Sequence, residues 1–76
     1  MKTIQDLEVF DTVWVKEKDI LYEGWIFDIN KKHIIVTVPK DNYKDYRFVI
    51  TRPLSQTELN QNGHTLLFNK PCIQGI

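Results

Sequence analysis

Apolar and polar residues alternate along most of the chain with a period of two, the spacing of half-buried β-strands rather than of helices. Val13 and Val15 point one way and Thr12, Trp14 and Lys16 the other, which predicts a first strand ended by a polar turn at Glu17-Lys18-Asp19. Residues 20–29 are apolar on both sides, with Ile20, Tyr22, Gly24 and Ile26 on one face and Leu21, Trp25, Phe27 and Ile29 on the other. A strand of that kind is expected to bend and serve two sheets, and Gly24 marks the place for a bulge or sharp bend. Asn30-Lys31-Lys32 is the next turn, and residues 33–38 follow with Ile34, Val36 and Val38 alternating against His33, Ile35 and Thr37. Pro39-Lys40-Asp41-Asn42 carries turn chemistry. Residues 43–51 read as a fourth strand, with Tyr46, Phe48 and Ile50 opposite Arg47, Val49 and Thr51.

The period then breaks. Ser55-Gln56-Thr57-Glu58 has the form of a capping box, Leu54 and Leu59 stand at the two positions of a hydrophobic staple, and Gly63 suits a left-handed helix end. These features predict a short helix over residues 56–62. Residues 64–68 return to strand, Pro71 stops it, and residues 72–76 form an apolar tail. The expected whole is a single all-β domain over residues 1–76: a small SH3-like barrel of about five strands with one short helix before the last strand. The competing OB-fold places its helix between strands three and four.

Residues 11–38 carry a family likeness. Asp11-Thr12-Val13-Trp14-Val15, then Gly24-Trp25-Ile26-Phe27-Asp28-Ile29 and the strand through Val36 and Val38, resemble the opening of KOW and Tudor-type SH3-like domains. Those run D-x-V-x-V, a short loop, G-x-I-x-x-I and a valine-rich strand. Asp11, Val13, Val15, Gly24, Ile26, Ile29, Val36 and Val38 occupy the matching places. KOW domains have glycine where Phe10 stands and another where Lys18 or Asp19 stands; this chain has neither. The second RNA-binding signature of Sm-like barrels has no counterpart. The likeness covers little more than a third of the chain and is mostly core pattern, so it implies fold more than ligand. In Tudor-like domains, loops at one end of the barrel build an aromatic cage for a methylated cation; Trp14, Tyr22, Tyr43 and Asp45 are the residues that would imitate it here. The same rings are also what a small barrel uses to fill its core and cover its ends.

Composition narrows the setting. With 76 residues, 42% hydrophobic and 12% aromatic, the chain has the make-up of one globular domain rather than a disordered segment. No apolar run approaches the ~20 residues that span a membrane. The first residues lack a hydrophobic segment and carry Asp6 and Glu8, so no secretory signal is expected. Cys72 is the only cysteine, which excludes an internal disulfide framework and favours a cytoplasmic setting. The zero net charge argues against strong nonspecific nucleic-acid binding. The charge is unevenly spread, however: residues 1–30 hold three bases against seven acids, and residues 31–76 seven bases against three acids.

Enzymatic motifs are missing. There is no G-x-S-x-G, P-loop, Rossmann glycine pattern or H-E-x-x-H. Cys72 with His33 or His64 as base is the one nucleophile arrangement to weigh, but beside Pro71 a small hydrophobe is the plainer reading. Cys72, His33 and His64 share no metal-ligand spacing, and Asp41 and Asp45 read as turn acids. No catalysis, cofactor, metal or small-molecule substrate is therefore expected, and the function expected is binding. Residues 31–52 combine Lys31, Lys32, Lys40, Lys44, Arg47 and Arg52 with Tyr43, Tyr46 and His33. Bases neutralise phosphates and rings stack on unpaired bases, so the mixture suits single-stranded nucleic acid or a ribonucleoprotein. Lys31, Lys32, Tyr43, Lys44, Tyr46 and Arg47 are the candidate contacts, Arg47 foremost. Lysines at hairpin tips also guard exposed strand edges. The alternative is a protein-interaction or self-association module using Trp14, Tyr22, Trp25, Phe27 and the apolar tail.

Overall fold

The alternating segments fold as strands: β1 (Thr12–Glu17), β2 (Ile20–Ile29), β3 (His33–Lys40) and β4 (Asn42–Val49), followed by β5 (Glu58–Gln61) and β6 (His64–Leu67). The structure, a computed structural model, describes residues 1–71 except Asp41. Asp41 as a turn acid, Cys72 as a nucleophile and the apolar tail of residues 72–76 lie outside the described residues. The six strands form one antiparallel sheet in the order β4-β3-β2-β1-β6-β5, curled into a half-barrel. Its inner face carries the alternating residues: Val13, Val15, Ile26, Ile34, Val36, Phe48 and Leu66 are sealed from water. Ile4, Leu7, Val38, Tyr46, Leu59 and Phe68 complete the core.

The long strand β2 does not serve two sheets; within the one sheet it is shared between two neighbours. It pairs with β1 from Glu17↔Ile20 to Thr12↔Trp25, and with β3 from Trp25↔Thr37 to Ile29↔Ile34. Gly24 sits at the handover. A Cβ there would collide with the backbone carbonyl oxygen of Thr37, so only glycine lets the strands approach. The register shift itself lies three residues further on: Ile26 faces Val36, but Asp28 faces Ile35, leaving Phe27 as the extra residue of a bulge. The bulge inverts the parity expected for the end of β2. Ile29 packs against the core instead of sharing the outer face with Trp25 and Phe27.

The helix expected over residues 56–62 is not formed, and the sheet has six strands rather than about five. Residues 58–67 are a hairpin, β5 and β6 paired from Glu58↔Leu67 to Gln61↔His64. Its two-residue turn places Asn62 at φ 53 and Gly63 at φ 79. Asn-Gly with both residues left-handed is the turn whose twist matches two antiparallel strands. As strands, the segment buries Leu59 and Leu66 opposite one another in the core. That burial outweighs a cap worth about 1 kcal/mol. The only helical turn among the described residues is a 3-10 turn at Ile4–Asp6, where the Asp6 carboxylate accepts from the Thr3 backbone N–H at 2.9 Å.

Two carboxamide side chains stand in for missing strand pairing. Gln61 on the β5 edge accepts from the Val49 N–H at 2.7 Å and donates back to the Val49 carbonyl, joining β5 to the far edge strand β4. Asn69 accepts from the Lys2 N–H at 2.7 Å and donates to its carbonyl at 2.9 Å, tying the start of the chain to the segment after β6.

Candidate binding surfaces

The outer face of β2, β3 and β4 carries a row of cross-strand neighbours, Trp25↔Thr37↔Asp45. Thr37 is buried although it points outward, and its hydroxyl donates to Asp45 Oδ1 at 2.8 Å. Tyr43 lies on the same face of β4 as Asp45, and its ring meets Trp25 edge-on at 6.5 Å. Two phenylalanines complete the surface through irregular backbone. Phe27 points outward as its alternation with Ile26 expects and is the extra residue of the bulge, and Phe10 takes φ 76, a conformation that bulky residues rarely adopt. Phe10 is held there by pairing with β2: its N–H donates to the Ile26 carbonyl at 2.8 Å, and the Ile26 N–H donates to the Asp11 carbonyl at 3.0 Å. Phe10, Tyr43 and Phe27 remain 76%, 75% and 60% exposed. With Trp25, Thr37 and Asp45 they line a hollow of about 340 Å³. Ring faces beside a carboxylate make a surface suited to a cation.

The residues singled out in the sequence are distributed as follows. Of Trp14, Tyr22, Tyr43 and Asp45, the structure brings together Tyr43 and Asp45. Tyr22 packs against the core, and Trp14 lines a separate shallow hollow with Leu21, Glu23, Lys70 and Pro71. Of Trp14, Tyr22, Trp25 and Phe27, it brings together Trp25 and Phe27. Phe10 was not among the expected site residues. Its signal was an aromatic ring standing where the KOW pattern has glycine.

The basic residues scatter. Lys31 and Lys32 occupy the turn between β2 and β3, and Lys31 shares a groove with Arg52. Arg47 lies on the outer face, its guanidinium 3.3 Å from His33 Nδ1. Lys44 is near the β1–β2 turn at the other end of β2, 3.8 Å from Glu17 Oε1 and 5.0 Å from the centre of the Tyr46 ring. Tyr46 first, and then the Glu17 carboxylate, hold the Lys44 pKa above its usual value. Tyr46 is only 5% exposed, stacked on Phe48 and edge-on to His64 at 5.0 Å, so its ring faces are not open to a base.

His33 and His64 each lie near a carboxylate: His33 Nε2 is 3.9 Å from Asp28 Oδ2, and His64 Nδ1 is 3.2 Å from Glu17 Oε2. Among the described residues no group of three or more His, Cys, Asp or Glu is placed to hold a metal ion. Among them, too, no helix is long and apolar enough to cross a membrane. In comparisons with known proteins, no family model, curated protein or solved structure matches the chain.

Proposed function

We propose that this domain is an SH3-like barrel that works as a non-catalytic protein-binding module, holding a cationic side chain of its partner between Phe10, Trp25, Phe27 and Tyr43 beside Asp45. One observation carries the reading. Two separate backbone irregularities, the left-handed Phe10 and the bulge at Phe27, each fall on an exposed phenylalanine that lines the same hollow. Unfavourable backbone and exposed apolar area both work against stability, and their coincidence at one place is what a binding surface requires.

The fold assignment draws support from the first of these irregularities and from a further one at Lys18. Where the KOW pattern uses glycine this chain has Phe10 at φ 76 and, of the two candidates Lys18 and Asp19, Lys18 at φ 56, the backbone conformation glycine supplies. The central β1, flanked by a bent β2 and the last strand β6, also agrees with an SH3-like arrangement. A nucleic-acid track has less support, because it calls for contiguous cations, and Lys31, Lys44 and Arg47 lie on different parts of the barrel.

The test is a titration of the 15N-labelled domain with capped Gly-Arg-Gly, capped Gly-Glu-Gly and a short oligothymidine in about 50 mM salt. The arginine peptide should shift the amides of Phe10, Phe27 and Tyr43, and Tyr43→Ala or Asp45→Asn should weaken it at least tenfold. If the oligothymidine alone binds, or no peptide moves these amides at millimolar concentration, the reading fails.

A further inference from the structure

A second concave surface lies at the other end of β2 from the β1–β2 turn. Ile4 and Gln5 of the 3-10 turn, Ile29, Asn30 and Lys31 at the end of β2, and Ile50, Arg52 and Leu54 after β4 enclose a groove of about 410 Å³. That volume falls within the range of ligand-binding clefts. Its floor is the end of the core: Ile4 is buried, and Ile29, Ile50 and Leu54 are only partly covered by the rest of the chain. The charged residues that line it are both cations, Lys31 and Arg52, and both are exposed.

Neither cation has an ion-pair partner among the described residues, although other cations of this chain do, with Lys2 3.1 Å from Asp11 and Lys44 3.8 Å from Glu17. Of the two side-chain amides, Asn30 is already occupied, its Oδ1 accepting from the Lys32 and His33 N–H groups at 2.7 and 2.9 Å. The groove therefore offers an aliphatic floor with positive charge in two places along its lining. Neutralising both cations takes two carboxylates.

We infer that this groove takes an acidic, aliphatic segment of a partner protein, its branched side chains seated on Ile29, Ile50 and Leu54 and flanking carboxylates set against Lys31 and Arg52. This surface is distinct from the aromatic hollow, which shares no lining residue with it and favours the opposite charge.

The probes are a capped Glu-Leu-Ile-Glu peptide, its Lys-Leu-Ile-Lys counterpart, and octanoate, each titrated into the full chain and read by NMR at the methyls of Ile4, Ile29, Ile50 and Leu54. The acidic peptide should move these signals and weaken at least tenfold on Lys31→Glu with Arg52→Glu, while Tyr43→Ala leaves its affinity unchanged. Because both cations are exposed, the charge-reversed variant should keep the wild-type amide spectrum; Lys31→Ala and Arg52→Ala, each weakening binding by itself, give a second reading if it does not. Equal binding of the basic peptide, tighter binding of octanoate than of the acidic peptide, or no methyl shift at millimolar peptide would each overturn the inference.

Discussion

Gln61 and Val49 form a two-way clamp in which a side-chain amide imitates a strand: the Gln61 oxygen accepts from the Val49 N–H, and its nitrogen donates to the Val49 carbonyl. β4 and β5 are the two free edges of the sheet, and this clamp joins them where no backbone ladder does. Gln61→Ala removes two hydrogen bonds at a partly exposed site and should lower stability by about 1.5 kcal/mol. Gln61→Glu keeps the acceptor but sets a carboxylate oxygen against the Val49 carbonyl, so it should recover little of that loss. Urea unfolding midpoints measure both, and hydrogen exchange at the Val49 amide should speed up in each variant. An unchanged exchange rate would show that the edges hold together without the clamp.

Gly24 and Gly63 should respond to alanine for different reasons and by different amounts. At Gly24 a methyl meets the Thr37 carbonyl oxygen across packed strands, so Gly24→Ala must force β2 and β3 apart, at about 3 kcal/mol. At Gly63 there is open space but φ is 79, so Gly63→Ala should cost about 1 kcal/mol through the backbone alone. Thermal or urea unfolding of the two variants tests the order. A larger loss at Gly63 would contradict the packing described for the handover.

Phe10→Gly should stabilise the fold by about 1 kcal/mol while weakening the capture of cationic peptide. The left-handed backbone at Phe10 is relieved by glycine, and a ring left 76% exposed gives up little packing when removed. Unfolding measurements and the arginine-peptide titration should move in opposite directions. Parallel losses would mean that the ring serves the core and not the surface.

Asp6 links the 3-10 turn to pH. Its carboxylate accepts from the Thr3 N–H at 2.9 Å and the Thr3 hydroxyl at 3.2 Å, and the backbone bond above all holds its pKa below the usual carboxylate value. A group more acidic in the folded than in the unfolded chain stabilises fully above its unfolded pKa, about 4. The contribution disappears as pH falls through the lower, folded value. The difference in urea midpoint between wild type and Asp6→Ala should therefore be present at neutral pH and close as the solution is acidified below about pH 4. A gap that stays constant into acid would rule out the carboxylate as its source.

The inner face of the half-barrel could be read from spacing alone, because Val13, Val15, Ile34, Val36, Tyr46 and Phe48 alternate without interruption and each lies in the core. The hairpin at residues 58–67 was obscured by competition between two local signals. Ser55 and Glu58 spell a helix start, whereas Asn62-Gly63 spells a tight β-turn, and the burial of Leu59 against Leu66 that decides between them depends on partners far away in sequence. The candidate hollow was only half visible for a similar reason. Trp25, Phe27, Tyr43 and Asp45 stood out as aromatic or acidic positions, but register across three strands is what places them together. Phe10 joins them through its backbone angle and its pairing with Ile26, neither of which side-chain periodicity encodes. The scatter of Lys31, Lys44 and Arg47 has the same origin, since a sequence stretch dense in cations becomes two ends and one face once it folds into a hairpin.

The bulge in β2 has a further consequence. If position 27 is skipped, the strand counts as Gly24 in, Trp25 out, Ile26 in, Asp28 out, Ile29 in, an unbroken rhythm with no irregularity to explain. The interior would thus be equally well served by a chain one residue shorter. Phe27 is surplus to the architecture, and a version of this protein with that single residue excised should still assemble its core while its outer hollow loses one side.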